Sequence, residues 1–208
     1  RGWRRQRTGL RHRPDGERRA AYRVRTADRA QTARIFLVGP PGAGKTTIGR
    51  RLARLRQLEF FDSDHEIESC CGVDIPYIFE VEGEEGFRRR EAKMIDQLTQ
   101  QPDVLIATGG GSILRDDNRA HLSARGIVIY LYASLEQQLQ RTRKSDARPL
   151  LNAGNRKETL ERLFAVRDPL YRDIADLIVP TRGRGAKAVA HDIHQRLDRD
   201  VRKQIATP

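Results

Sequence analysis

The sequence is 208 residues long and 38% apolar, which is enough for one well-buried domain and short for two. Its formal net charge is +12, but residues 1–34 carry +9 of that charge through twelve arginines set against three acidic residues. This distribution excludes a folded domain with a broadly basic face, and the lack of any apolar run of about 18 residues excludes a membrane-spanning helix.

The arginine-rich beginning of the chain differs in composition from everything after it. Residues 1–33 lack the apolar segment of a secretory signal, and three interpretations stay open: a disordered or untranslated extension, an arm for nucleic acid or another partner, and a targeting segment. We assign residues 1–33 to a basic extension, 34–200 to one domain and 201–208 to a C-terminal tail. The adjacent Cys70 and Cys71 favour a reducing compartment without disulfides, so we predict a cytoplasmic protein.

From residue 34 onward, apolar strands alternate with helical patterns, which is typical of a parallel sheet covered by helices on both faces. The pattern predicts five strands, at Ile35–Val38, Glu59–Phe61, Val104–Ala107, Ile127–Tyr132 and Leu177–Val179. It predicts helices near 47–56, 65–71, 75–80, 84–100, 115–123, 134–142, 157–174 and 186–199. The predicted fold class is α/β, a single three-layer α/β/α domain that binds its ligands at the carboxyl ends of the strands.

The first strand leads directly into a segment, Gly39 to Thr46, that matches the phosphate-loop pattern G-x-x-x-x-G-K-[ST]. Backbone N–H groups of such a loop surround a phosphate, and the following helix adds its positive end. Lys45 would reach the β- and γ-phosphates, and the Thr46 hydroxyl would hold Mg²⁺. A glycine-rich turn before a helix is the plainer alternative. The predicted nucleotide-binding residues of this segment are Gly42, Ala43, Gly44, Lys45, Thr46 and Thr47.

Two carboxylates follow the second strand, at Asp62 and Asp64. Side chains two positions apart on an extended segment point the same way, so both can face the phosphate loop. One can orient Mg²⁺, and the other can accept a proton from an attacking hydroxyl. Either residue can instead cap the helix that begins near His65, and capping can coexist with catalysis.

Three consecutive glycines, Gly109 to Gly111, follow the third strand. Glycine is entropically costly in regular structure, so the run suggests bare backbone that approaches a ligand closely. Such a segment would contribute N–H donors and close contact, not chemistry. A flexible turn is the alternative.

The long helical pattern begins with Phe87 and Arg88, and Glu91 lies three positions after Arg88. This spacing allows an intrahelical pair that fixes the guanidinium, whose fork suits a carboxylate. A solvated Arg–Glu pair on the helix surface is the plainer interpretation.

Two basic segments lie in the second half of the chain. Residues 143–155, which include Arg148, are predicted to form a mobile lid that closes over phosphates and excludes water, with a plain linker as the alternative. Arg182 or Arg184, after the fifth strand, could stack on a nucleobase, or could belong to an ordinary turn. The five histidines make no convincing metal set.

Together these motifs resemble the shikimate kinases, within the nucleoside-monophosphate-kinase-like group of phosphate-loop folds. The resemblance covers roughly Ile35 to Leu197, with the motifs in the family's order. It is carried by the segments at 39–47, 60–72, 78–91, 108–111, 148–151 and 167–171.

The resemblance implies transfer of the γ-phosphoryl group of ATP to the 3-hydroxyl of shikimate, on the route to chorismate and the aromatic amino acids. It implies that Arg88 and Arg167 clamp the shikimate carboxylate and that Asp64 hydrogen-bonds the reacting hydroxyl. The remaining residues implied to contact shikimate are Phe87, Gly109, Gly110 and Gly111.

The nucleotide side of the site follows from the same resemblance. Asp62 would organise Mg²⁺ through water, with Thr46 as the protein ligand, and ATP would be the co-substrate. The catalytic residues would be Lys45, Asp62, Asp64 and Arg148, and the other residues implied to contact ATP are Arg141, Arg182 and Arg184. The family resemblance also favours a monomer without a membrane partner.

Parts of the sequence are also compatible with two functions other than phosphorylation of shikimate. A related kinase could act on gluconate or a nucleoside monophosphate; Arg88 and Arg167 with the triple glycine suit a compact carboxylate acceptor better than a phosphorylated nucleotide. A nucleotide- or nucleic-acid-binding protein could use the basic extension, but the intact Lys45, Asp62 and Asp64 argue against lost catalysis.

Overall fold

The computed structural model describes residues 33–142 and 155–205, with side chains described as far as residue 199. Five strands pair in parallel in the order β2-β3-β1-β4-β5. The strands are β1 (Arg34–Val38), β2 (Glu59–Asp62), β3 (Val104–Ala107), β4 (Ile127–Tyr132) and β5 (Leu177–Pro180).

Seven α-helices connect or follow these strands in the described ranges, and a short 3₁₀ turn occupies Ser112–Leu114. The helices are α1 (Lys45–Arg56), α2 (Ser63–Cys71), α3 (Ile75–Gln100), α4 (Asp116–Arg125), α5 (Leu135–Thr142), α6 (Arg156–Ile174) and α7 (Ala186–Ile205). None of the helices in these ranges combines the length and apolarity needed to cross a bilayer.

The sheet is sandwiched between two hydrophobic cores, and β1 contributes to both by alternation. Phe36 and Val38 pack in the core covered by α3, α4 and α6, whereas Ile35 and Leu37 pack in the core covered by α1 and α7. Successive strand side chains point to opposite faces, so a strand buried on both faces reads as a continuous apolar run. The predicted three-layer α/β/α fold is confirmed.

The order of the strands creates a crevice next to β1. β1 pairs with β3 on one side and with β4 on the other, so the connections diverge at this point. The register aligns Leu37 with Ala107, and Ala107 with Asp62, so that β1, β2 and β3 end at nearly the same level. Ligands of open parallel sheets bind at such a switch point.

The predicted elements differ from the structure mainly at their ends. The two helices predicted at 75–80 and 84–100 form one helix, α3, which is broken at Gly83 by non-helical angles of φ 68° and ψ −179°. Glycine tolerates the break at position 83 because it lacks a Cβ atom.

Helix α7 continues to Ile205, past position 200, at which we placed the domain boundary.

Candidate active site

A cavity of about 550 Å³ opens at the carboxyl ends of β1, β2 and β3. Most of the residues that the sequence singled out line it, which confirms that they come together in space. The predicted residues on its wall are Gly42, Gly44, Lys45, Thr46, Thr47, Asp62, Asp64, Phe87, Arg88, Gly109, Gly110, Gly111 and Arg167.

The phosphate loop joins β1 to the N-terminus of α1. Gly44 caps the helix with a φ of 91°, a left-handed conformation that glycine adopts without strain. The Lys45 ammonium donates hydrogen bonds to the carbonyls of Gly39, at 2.7 Å, and Pro40, at 3.1 Å, so it lies back along the loop. Ala43 is fully buried in the core beneath the loop and does not line the cavity, so its contribution is restricted to backbone and packing.

The paired carboxylates face the cavity, although the geometric reason we gave is wrong for Asp64. Asp62 ends β2 in extended geometry, but Asp64 lies in the first turn of α2 and not on an extended segment. Asp62 is also the helix cap, because its Oδ1 accepts from the Asp64 backbone N–H at 3.2 Å. Capping and a position on the cavity wall therefore coexist at Asp62.

Oxygen atoms suited to Mg²⁺ lie where α1 begins. The Thr46 hydroxyl donates to Asp62 Oδ2 at 2.6 Å, which places an alcohol and a carboxylate side by side on the cavity wall. Within the described ranges no cluster of three or more His, Cys, Asp or Glu side chains could hold a metal. Mg²⁺ commonly takes one or two protein oxygens and completes its shell with water and phosphate, so this pair fits the ion.

The glycine loop, residues 108–111, is held by side chains that are themselves buried. The Gly109 N–H donates to Ser63 Oγ at 2.9 Å, and the Gly110 carbonyl accepts from both Tyr171 and Arg167. A Cβ atom at Gly111 would overlap the Arg88 guanidinium. The bare backbone of this run lies close to the Arg88 side chain, and its carbonyls accept hydrogen bonds as its N–H groups donate them; its predicted approach to a ligand stays a prediction.

Arg88 is not the solvated surface pair that its spacing alone would suggest. Its side chain is 11% exposed, and it donates to Glu91 Oε2 at 2.7 Å and to Glu84 Oε1 at 3.0 Å. Glu91 is 1% exposed, and burial raises its pKa to about 7 even though the neighbouring Arg88 acts in the opposite direction. Two acids thus orient one guanidinium at the cavity wall.

Arg167 is more deeply buried than Arg88, at 5% exposed, and has fewer partners. Its Nη1 donates to the Gly110 carbonyl at 3.2 Å, and its buried Nε finds no hydrogen-bond acceptor among the described residues. Burial and the nearby Arg88 both lower the pKa of Arg167. Glu91 and Glu84 act on Arg167 only through longer-range attraction, and a buried cation that forms no ion pair with a described acid creates a site that favours an anionic ligand.

Of the four other arginines predicted to contact ATP, the three that the structure describes, Arg141, Arg182 and Arg184, do not line the cavity. Arg141 donates to the Gly42 carbonyl and to Thr181, so it braces the phosphate loop from outside. Arg184 is paired with Asp192 at 2.8 Å, whereas Arg182 is mostly exposed and lies 3.8 Å from Glu136. Arg148 and positions 143–154 of the predicted lid lie outside the described residues.

The sequence did not predict the positions of three residues at the site. Glu91 was recognised only as a pair for Arg88, because spacing does not reveal that both are buried. Ser63 lies between the two aspartates but faces the glycine loop. Tyr171 follows Arg167 by four positions, which could have placed both on one face of the helix, but this spacing does not indicate that both reach the Gly110 carbonyl.

The phosphate loop, the neighbouring acids and the buried cationic wall on one switch-point cavity define a small-molecule kinase of the phosphate-loop class. The shikimate kinase family model matches residues 41–198. The chain belongs to the shikimate kinase family.

Similar proteins agree with this assignment. The chain is 54% identical to a shikimate kinase of Shewanella denitrificans over 81% of its own length and 98% of that protein. A structure of shikimate kinase from Acinetobacter baumannii in complex with shikimate is similar at a TM-score of 0.80 and 47% identity, covering 84% of this chain and 98% of that one. Shikimate kinase from Aquifex aeolicus follows the same fold at a TM-score of 0.71 and 32% identity, with 79% and 96% coverage.

Proposed function

We propose that the protein phosphorylates the 3-hydroxyl of shikimate with ATP, forming shikimate 3-phosphate and ADP. The observation that carries the proposal is the presence of two buried guanidinium groups, Arg88 and Arg167, on the cavity that also holds Lys45 and Asp64. Relatives of the same family, including one solved with shikimate, support the choice of acceptor.

The acceptor's acid group is the natural partner for the two arginines. Arg88 is already oriented by Glu91 and Glu84, while Arg167 has no ion pair with a described acid. A carboxylate would supply the missing negative charge and accept hydrogen bonds from both forks. Holding the ring at its carboxylate would leave one hydroxyl facing Asp64, on the side of the cavity nearest the phosphate loop.

The proposed chemistry is mostly positioning and placement of charge. Asp64 would hold the attacking hydroxyl and accept its proton, and Lys45 would move from the loop carbonyls to the phosphates. Arg148, from the predicted lid, would add positive charge and help to exclude water. Mg²⁺, held through Thr46 and Asp62, would neutralise charge on the β- and γ-phosphates when bound.

The adenine contact falls more naturally to Arg182 than to Arg184, because Arg184 is committed to Asp192. Arg141 would act through the phosphate loop, whose Gly42 carbonyl it holds. Both described cysteines are free thiols, which agrees with the proposed cytoplasmic location. We propose a monomer, which light scattering after size-exclusion chromatography would check.

The experiment is a coupled assay of ADP release with shikimate, gluconate and AMP offered separately to the purified full chain. We expect Mg²⁺-dependent turnover with shikimate at a kcat/KM at least about a hundredfold above the other two, because the rigid ring of shikimate would hold its carboxylate at the arginines and a hydroxyl at Asp64 together, whereas gluconate is a flexible chain and AMP presents a phosphate. Equal or greater turnover with gluconate or AMP would contradict the proposal.

A further inference from the structure

The carbonyl oxygen of Gly110 is a shared acceptor at the wall of the cavity. The Tyr171 hydroxyl donates to it at 2.5 Å, and Arg167 Nη1 donates to it at 3.2 Å. Both donors come from α6, four residues apart, so they lie one turn apart on the same face of the helix. The backbone of the glycine loop is therefore tied to one helix by two side chains that meet on one atom.

The Tyr171 side chain is held by stacking of its ring, not by the hydroxyl of its neighbour Tyr130. Its ring stacks on that of Tyr130 with centroids 4.9 Å apart, and Tyr171 is 1% exposed. Tyr130 in turn donates to Asp168 Oδ1 at 2.8 Å, and Asp168 Oδ2 accepts from Arg172 at 2.7 Å. Burial raises the pKa of Tyr171, so its hydroxyl keeps its proton and acts as a donor.

The orientation of the Arg167 guanidinium is supported by fewer contacts than that of Arg88. Arg88 is oriented by two acids, whereas no described acid forms an ion pair with Arg167, whose guanidinium is held at the Gly110 carbonyl and beside the Tyr171 hydroxyl. A displaced carbonyl would therefore release the Arg167 guanidinium.

We propose that Tyr171 is a positioning residue for binding of the acceptor's carboxylate. Its hydroxyl fixes the Gly110 carbonyl, and that carbonyl holds Arg167 in the orientation in which it meets the acid group. Tyr171 acts through Arg167 and does not itself touch the substrate. This inference rests on the proposed function, since it assigns Tyr171 to the shikimate half of the site and not to the ATP half.

The stacked tyrosines provide a matched pair of variants. Tyr171→Phe removes the hydroxyl at Gly110, and Tyr130→Phe removes the hydroxyl at Asp168, while both keep the stacked rings. Each loses one buried hydrogen bond, so both melting temperatures should fall by about 2–6 °C. We expect Tyr171→Phe to raise the KM for shikimate about 5- to 20-fold with the KM for ATP within about twofold, and Tyr130→Phe to change neither by more than about twofold.

Two further measurements separate positioning from general stabilisation. In an Arg167→Ala background, adding Tyr171→Phe should change kcat/KM for shikimate by less than about twofold, because the group through which Tyr171 acts is gone. The rise in melting temperature that saturating shikimate produces should shrink in Tyr171→Phe, and the rise produced by ADP should persist.

The inference is overturned if Tyr171→Phe leaves the KM for shikimate within about twofold of the wild type. It is also overturned if Tyr130→Phe raises the KM for shikimate as much as Tyr171→Phe does, or if Tyr171→Phe raises the KM for ATP as much as the KM for shikimate. The same holds if the effects of the Tyr171 and Arg167 substitutions on kcat/KM multiply, or if Tyr171→Phe does not fold while Tyr130→Phe does. A wild-type chain inactive on shikimate would overturn the proposed function itself, so the two failures are distinguishable.

Discussion

At the scale of single residues, Arg88 and Arg167 are buried cations with different supports. Arg88 is held by two acids of its own helix, and Arg167 by a backbone carbonyl of a distant loop. Replacing either cation tests the proposed clamp, but Arg88 offers the better control because its neighbour Arg89 forms a similar pair in solvent.

Arg88→Lys keeps the charge and removes the planar fork. We expect the KM for shikimate to rise about 10- to 100-fold, which corresponds to loss of a charged hydrogen bond of about 1.5–3 kcal/mol, with a smaller fall in kcat. Steady-state kinetics checks this. Arg89→Lys is the control, because Arg89 is 63% exposed and pairs with Glu85 in solvent. Equal effects of the two substitutions would remove Arg88 from the clamp.

Asp64→Asn tests the proposed acceptor of the hydroxyl proton. The amide keeps the shape of the side chain but does not accept a proton, so kcat should fall by about 10²- to 10⁴-fold. The KM for shikimate should change much less, because the carboxylate clamp is intact. Single-turnover measurement of the chemical step would detect the loss, and an unchanged rate would show that Asp64 only orients the substrate.

Glu91 should make stability depend on pH. Burial raises its pKa from 4.5 to about 7, so between these values the unfolded chain loses the Glu91 proton before the folded chain does. This group's contribution to the free energy of unfolding therefore falls as pH rises, by up to about 3 kcal/mol. Urea unfolding of wild type and Glu91→Gln at pH 4.5 and pH 7.5 should show the variant gaining relative stability at the higher pH. A pH-independent difference would contradict the shift.

At the scale of elements, the break in α3 separates a short arm from the long segment that carries Phe87, Arg88 and Glu91. The Glu82 carboxylate accepts from Arg90 Nε at 2.9 Å across the break. Gly83 adopts a φ of 68° with a ψ of −179°, a combination that residues with a Cβ atom rarely adopt.

Gly83→Ala should destabilise the fold by about 1–3 kcal/mol through backbone strain alone, because a Cβ atom there would meet nothing within 4 Å. Urea unfolding measures the difference. Gly185→Ala is the control, since that site is equally open but its φ is not positive; because Gly185 directly precedes α7, where alanine is a poorer N-cap than glycine, we expect a cost of about 0.5 kcal/mol. Equal costs at both positions would mean that the break at Gly83 is not what requires glycine.

At the scale of the whole molecule, every cavity-lining residue that the structure describes lies between Pro41 and Arg167. The sheet and both hydrophobic cores of the described chain lie after residue 33, and the family model matches residues 41–198. Most of the net positive charge, in contrast, lies before it.

Deletion of residues 1–32 should therefore leave kcat and both KM values within about twofold of the full chain. The coupled assay and thermal melts of the two proteins check this. The same pair tests the open interpretation of the extension as a nucleic-acid arm: salt-dependent binding that disappears on deletion would support that added role. A large loss of activity would show that the extension contributes to the catalytic domain.

Local chemistry was enough to predict the strands and the phosphate loop, whereas Arg167 was singled out only through the family resemblance. The apolar runs of β1, β3 and β4 and the pattern from Gly39 to Thr46 depend on neighbours in sequence, so they can be recognised without coordinates. The prediction that Asp62 and Asp64 lie on one extended segment was wrong, because β2 passes into α2 between these two residues.

The sequence by itself determined the class of fold, the phosphate loop and the identity of the charged residues available for an acceptor. Only the tertiary structure decided the strand order, the burial of Arg88 with Glu91, and the meeting of Arg167 and Tyr171 at Gly110. The reason is separation along the chain: Gly110 lies 57 residues from Arg167 and 61 from Tyr171, and no local periodicity encodes a contact that forms only when helices pack on a sheet.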